Sequence, residues 1–99
     1  MVKHIVMFTF NPQLSKKQKE TYGKEITEIA EALARKISGV QQFQVQLVPI
    51  GTSTHDLLME GVFDSTETLQ RYQEDPTHQS AAQTWKEIMT NRVCFDYIF

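Results

Sequence analysis

Phe63-Asp64-Ser65-Thr66-Glu67-Thr68-Leu69-Gln70-Arg71-Tyr72-Gln73-Glu74-Asp75-Pro76-Thr77-His78 is the stretch on which the fold turns. Phe63 closes an apolar run, Asp64 or Ser65 offers a side-chain oxygen to the early amides of a helix, and Glu67 sits in that helix's first turn, close to a capping-box arrangement. Asp75-Pro76 stops the helix and starts another, because proline lacks the amide proton that a helix interior needs yet suits a first helical turn. A strand therefore ends here, a broken helix follows, and a phenol (Tyr72) and an imidazole (His78) are set close together.

Working upstream, Asp56 to Phe63 is an apolar strand with Glu60 as its one clear polar exception. Gly51-Thr52-Ser53-Thr54 is a turn, and before it Phe43, Val45 and Leu47 alternate with Gln42, Gln44 and Gln46, the period of a strand with one polar face. The two make a hairpin, and Pro49 favours an edge for the earlier strand because it has no amide proton for a ladder. Further back, Tyr22, Ile26, Ile29, Ala30, Leu33 and Ile37 recur at steps of three and four, the stripe of a long amphipathic helix. Ser15 caps its start, and Ser38-Gly39 ends it, glycine taking a left-handed conformation at low cost. Val2 to Phe10 is a strand apolar on both faces, with Val2, His4, Val6, Phe8 and Phe10 on one and Ile5 and Met7 on the other. Downstream, Ala81, Ala82, Trp85, Ile88 and Met89 form the buried stripe of the last helix, and Val93, Phe95, Tyr97 and Phe99 a final strand.

The order is βαββαβ in a single domain, 1-99, of α+β class: two helices on one face of a four-stranded antiparallel sheet, the ferredoxin-like sandwich. The second face of the sheet is left bare. Since the first strand is apolar on that side too, an uncovered monomer exposes more contiguous apolar surface than soluble monomers normally carry. A second copy packed face to face about a twofold axis covers it, giving a homodimeric α/β barrel.

The 99 residues carry a formal charge of −2 with mixed signs along the chain, so there is no basic field for nucleic-acid phosphates. No apolar run approaches the ~20 residues that span a bilayer, and the N-terminus has no secretion signal, so neither a membrane partner nor export is expected. The single cysteine, Cys94, between Val93 and Phe95, reads as a buried small hydrophobe in a reducing, cytoplasmic setting. His4, His55 and His78, scattered and without thiolate partners, make no metal site, and no other cofactor is implied.

Lys3-His4-Ile5-Val6, Gly39-Val40, Phe63-Asp64-Ser65 with Leu69 and Tyr72, Asp75-Pro76-Thr77-His78 and Phe95-Asp96-Tyr97 together resemble the stress-responsive dimeric α/β-barrel (Dabb) proteins, over nearly the whole chain. The resemblance implies a homodimer whose fold is shared with heme-degrading and antibiotic-biosynthesis monooxygenases, muconolactone isomerase and a plant polyketide cyclase. Similarity to that cyclase implies that Tyr72 and His78 are the catalytic pair and His4 the other pocket histidine. It also implies a pocket within each protomer lined by Val6, Phe8, Tyr22, Ile26 and Met59. The chain departs from the cyclase pattern at Ala81 and Ala82, smaller than its lining, and at Arg92, where the pattern is aliphatic, so a different cavity shape is expected.

In that pocket His78 is suited to act as general base, since imidazole titrates near neutrality, and Tyr72 to donate a hydrogen bond to an oxygen gaining charge. Asp96 is the expected orienting group for His78. The same residues equally satisfy a structural role, because buried polar groups need partners. The expected function is a homodimeric barrel with a small apolar pocket per protomer that binds a small hydrophobic or aromatic metabolite. The alternatives are a cofactor-independent lyase or cyclase, with His78 as base and Tyr72 as donor, and a purely structural stress protein without ligand.

Overall fold

Alternation in Val2–Phe10 yields a strand, β1, whose Val2, His4, Val6, Phe8 and Phe10 are buried while the intervening side chains are half-buried. The computed structural model describes residues 1–99, and β1 is followed by α1 (Lys16–Lys36), β2 (Val40–Gln46), β3 (Leu57–Phe63), α2 (Thr66–Glu74), α3 (Pro76–Trp85) and β4 (Met89–Ile98). The expected βαββαβ order holds, with its second helix split at Asp75-Pro76. The strands form one antiparallel sheet in the order β2-β3-β1-β4, a ferredoxin-like arrangement with β2 at one edge and β4 at the other.

Local chemistry fixes the helix ends. The Ser15 hydroxyl accepts from the Gln18 amide at 3.1 Å while the Gln18 side chain accepts from the Ser15 amide at 2.8 Å, a reciprocal capping box at the start of α1. After α1 the chain turns at Gly39, whose φ of +99° is a conformation L side chains rarely adopt. Ser65 caps α2, accepting from the Thr68 amide at 3.2 Å. Arg71 of α2 donates to the Ser38 carbonyl and to the Thr68 hydroxyl, both at 2.9 Å, so the turn after α1 is tied to the first turns of α2. Asp75 caps α3 by accepting from the Thr77 amide at 2.8 Å, with Pro76 in the first turn where its missing donor costs nothing.

The helices lie on one face of the sheet. α1 buries Ile26, Ala30, Leu33 and Ala34, and Ile26 and Ala30 join Val6, Phe8, Met59 and Trp85 in one packed cluster. A second cluster gathers Val2, Leu33, Phe63, Leu69 and Tyr72. On the other face the register of β1 with β4 sets Ile5 beside Phe95 and Met7 beside Val93, and Phe95 is 67 % exposed and Val93 43 % exposed within the protomer. The central polar pair on that face is satisfied: Lys3 Nζ lies 3.0 Å from Glu60 Oε1, and Gln44 donates to the other Glu60 oxygen at 3.2 Å. No helix is long and apolar enough to cross a membrane.

Two expectations require correction. The last helix stops at Trp85 rather than running to Met89. The Ile88 amide folds back onto the Trp85 carbonyl at 3.1 Å in a tight turn, its carbonyl accepts from the Asn11 amide at 2.8 Å, and Met89 pairs with Phe10 as the first residue of β4. Cys94 is exposed rather than buried. Its neighbours are apolar, but they point to the opposite sheet face, and the helices pack over β1, β2 and β3 without extending across edge strand β4.

Candidate functional site

Tyr72 projects from α2 and His78 from the first turns of α3, and the break at Asp75-Pro76 turns the two helices so that the rings meet edge-on, centroids 4.8 Å apart. The pair sits in the middle of a line of rings. Phe63 lies 5.6 Å from Tyr72 on one side, with His4 6.2 Å beyond Phe63, and Trp85 lies 6.3 Å from His78 on the other. The line therefore runs from β1, beneath the helices, to the face of α3 that looks toward α1.

Tyr72 is fully buried, and burial drives its phenol well above the ordinary range, so it stays protonated at any physiological pH. His78, half-buried, is pushed down chiefly by desolvation, with the nearby His4 and Arg92 adding to the shift against the pull of the Gln73 carbonyl and Asp75. At neutral pH the pair thus presents a neutral donor next to a neutral imidazole.

Asp96, expected to orient His78, is hydrogen-bonded to His4 instead. β1 pairs with β4 so that His4 is directly opposite Asp96, and His4 Nδ1 stands 2.5 Å from Asp96 Oδ1. The register of the sheet, not the helix, chose the carboxylate's partner. The same face of β4 brings the Cys94 sulfur to 3.5 Å from Asp96 Oδ1 and 3.9 Å from His4 Nδ1. Partial burial and the Asp96 carboxylate raise the Cys94 thiol above its usual range. His4, Cys94 and Asp96 are the donor set able to hold a metal ion, their ligand atoms all within 4.8 Å of one another.

Of the residues expected to line a pocket, Val6, Phe8 and Met59 are closed into the packed cluster under the helices. Tyr22 and Ile26 instead border a cleft of about 500 Å³ between α1 and α3, together with Ile29, Ala81 and Trp85 and the hydroxyls of Thr77, Ser80 and Thr84. The cleft exists because α3 presents small side chains to α1: Ser80, Ala81 and Thr84 leave unfilled the space that larger residues would occupy. Trp85, read from the sequence as core first, both anchors the cluster and lines this cleft. Its position after Ala81 on the same helical stripe was the available sign.

A family profile for the stress-responsive A/B barrel domain matches residues 2–99. The chain belongs to that family. Among solved structures, this barrel domain is similar to a dimeric protein of unknown function with a ferredoxin-like fold from Bacteroides fragilis, at 30 % identity and a TM-score of 0.89, with 99 % of this chain and 95 % of that one covered. It is also similar to a family member with a ferredoxin-like fold from Mesorhizobium loti, at 20 % identity, a TM-score of 0.78 and coverage of 99 % and 95 %. A hydroxynitrile lyase from Passiflora edulis shares the fold, at 19 % identity, a TM-score of 0.76 and coverage of 99 % and 92 %. A comparison with curated proteins found no match.

Proposed function

We propose that this barrel domain is a homodimer in which each protomer binds one small, largely apolar, aromatic molecule in the cleft between α1 and α3. The cleft carries the proposal. At about 500 Å³, with an apolar floor of Ile26, Ala81 and Trp85 rimmed by hydroxyls, it has the size and the lining of small-molecule sites, which run from ~300 to ~1,000 Å³ with a few polar groups fixing orientation. Trp85 separates the cleft from His78 and Tyr72, its ring packing edge-on to His78, which in turn meets Tyr72, so a ligand in the cleft touches the pair only through that indole. Binding of this kind needs no cofactor.

Dimerisation through the open sheet face is supported by the exposed Val93 and Phe95 and by the dimeric state of the Bacteroides fragilis relative. A cytoplasmic location accords with one free cysteine and the rarity of disulfides in reducing compartments.

A second reading, a cofactor-independent lyase or cyclase, draws on the opposed shifts of the pair. A neutral His78 is a base at neutral pH and a protonated Tyr72 a donor, and environments that drive neighbouring titratable groups apart are the mark of acid–base assignments. The fold serves a hydroxynitrile lyase in Passiflora edulis.

Trp85 is the only tryptophan in the chain, so its emission reports on the cleft. Titration with small aromatic carbonyl compounds should quench or shift that emission saturably in the wild type. Ala81→Phe, which fills the cleft, should abolish the response while leaving the dimer intact. An emission unchanged by every compound, or a response untouched by Ala81→Phe, argues for a barrel without a ligand in this cleft.

A further inference from the structure

The register that places His4 opposite Asp96 also places Val6 opposite Cys94, and because alternate strand residues share a face, His4, Cys94 and Asp96 all project to the helix side. The Cys94 sulfur and the Asp96 oxygen both approach the same imidazole nitrogen, Nδ1, at 3.9 and 2.5 Å, and lie 3.5 Å from each other. A nucleophilic relay would set the thiol on one ring nitrogen and the carboxylate on the other. Convergence on one nitrogen is instead the geometry of a chelate.

We infer that His4, Cys94 and Asp96 form a three-ligand site for a divalent transition-metal ion, zinc foremost, with a fourth position left to water. A tetrahedral zinc with bonds of ~2.3 Å to sulfur and ~2.0 Å to nitrogen and oxygen holds its ligand atoms roughly 3.3–3.6 Å apart. The two contacts of the sulfur already stand at 3.5 and 3.9 Å. The His4–Asp96 hydrogen bond has to open by under ~1 Å and the sulfur to draw in toward Nδ1 by a few tenths of an ångström on that geometry, as the ion takes the place between them. Coordination sends the Cys94 thiol proton to solvent, and His4 binds as a neutral imidazole through Nδ1 with the ring proton on its other nitrogen.

A mixed sulfur, nitrogen and oxygen set suits zinc better than calcium or magnesium, which want oxygens, or copper(I), which wants soft sulfur ligands. His4 is held rigid, 5 % exposed and edge-on to Phe63, whereas Cys94 and Asp96 are exposed and give the ion its way in. Arg92 shares their face two residues earlier on β4 and brings an opposing positive charge, so Arg92→Leu should tighten binding. The site is independent of the α1–α3 cleft and survives if the cleft holds nothing.

The test is titration of reduced, metal-free protein with cobalt(II), followed by displacement with zinc. One cobalt per protomer is expected, with a thiolate-to-metal charge-transfer band and the visible bands of a tetrahedral ion, both lost on adding one equivalent of zinc. Bound zinc should also shield Cys94 from a thiol-modifying reagent. Cys94→Ser should lose the charge-transfer band, and both it and Asp96→Asn should weaken zinc binding by no less than the ~10–100-fold that loss of an outer-shell partner brings. Both positions are exposed on an edge strand, so these variants fold, and circular dichroism checks that they do. A wild type without the thiolate band, or a Cys94→Ser variant that binds zinc as tightly as the wild type, overturns the site.

Discussion

At the scale of single residues, Tyr72 carries two separable roles. None of the hydrogen bonds within the chain ends on its hydroxyl, and burial alone accounts for its raised ionisation, whereas its ring packs against Phe43 and Phe63, each at 5.6 Å. Tyr72→Phe should therefore leave stability within ~1 kcal/mol of wild type, the worth of one ordinary hydrogen bond. On the lyase or cyclase reading it should nevertheless lower turnover, because the hydroxyl is the donor there. Tyr72→Ala should cost about 3–5 kcal/mol, as aromatic truncation in a core does. Chemical denaturation of the two variants separates a hydroxyl kept for a ligand from one kept for the fold.

His78 makes a prediction about pH. Desolvation lowers its folded-state pKa below the ordinary 6.5, so as pH falls the unfolded chain takes up the proton first. The stability it contributes is fully present above the unfolded pKa and is lost as pH falls through the folded one. Between about pH 7 and about pH 5 the denaturation midpoint should drop more steeply for wild type than for His78→Asn. Parallel profiles would mean that the imidazole is freely hydrated in the folded protein.

At the scale of elements, the turn after α1 is the most constrained joint. A Cβ at Gly39 would stand 2.7 Å from both Asp64 carboxylate oxygens and 2.8 Å from the Thr68 hydroxyl, on a backbone already at φ +99°. Gly39→Ala should destabilise by more than ~2 kcal/mol, combining left-handed strain with displacement of the α2 start, measured by urea denaturation. Asp64→Ala, which removes the carboxylate contacts but leaves the Thr68 hydroxyl and the backbone strain, should rescue only part of that loss in the double variant.

Most of the elements were legible because their ends are written in local chemistry. Ser15, Ser38-Gly39, Ser65 and Asp75-Pro76 each stop or start a helix through neighbours a few residues away, and each does so in the structure. The candidate site was legible only in part. Tyr72 and His78 were found because one helix break sets both. The pairing of His4 with Asp96 and Cys94 depends on the register between strands at opposite ends of the chain, which alternation within either strand does not specify. Exposure of Cys94 likewise follows from how far the helices reach across the sheet. The cleft is a matter of volume left between α1 and α3, and small residues in a helix stripe read equally well as close packing.

At the scale of the whole molecule, the sheet divides the protein into a helix side that carries the candidate site and an open side proposed as the partner surface. Phe95 lies on edge strand β4 of that open side, beside Ile5 and 67 % exposed. A twofold interface counts each contact twice, so losing the burial of Phe95, at about 1.5–3 kcal/mol per copy, costs roughly 3–6 kcal/mol per dimer. Sedimentation should show wild type at twice the 11.5 kDa chain mass and Phe95→Glu with a dissociation constant raised at least ~100-fold. A wild-type monomer at micromolar concentration would leave the open face without a partner.

The central claim is that a small aromatic molecule occupies the cleft between α1 and α3. Its most direct test is amide and indole chemical-shift mapping of isotopically labelled protein during titration with an aromatic carbonyl compound. Saturable shifts concentrated at Ala81, Thr84, the Trp85 indole and Tyr22, spreading to His78, are the expected result. Shifts confined to the open sheet face, or none at saturating ligand, would contradict it.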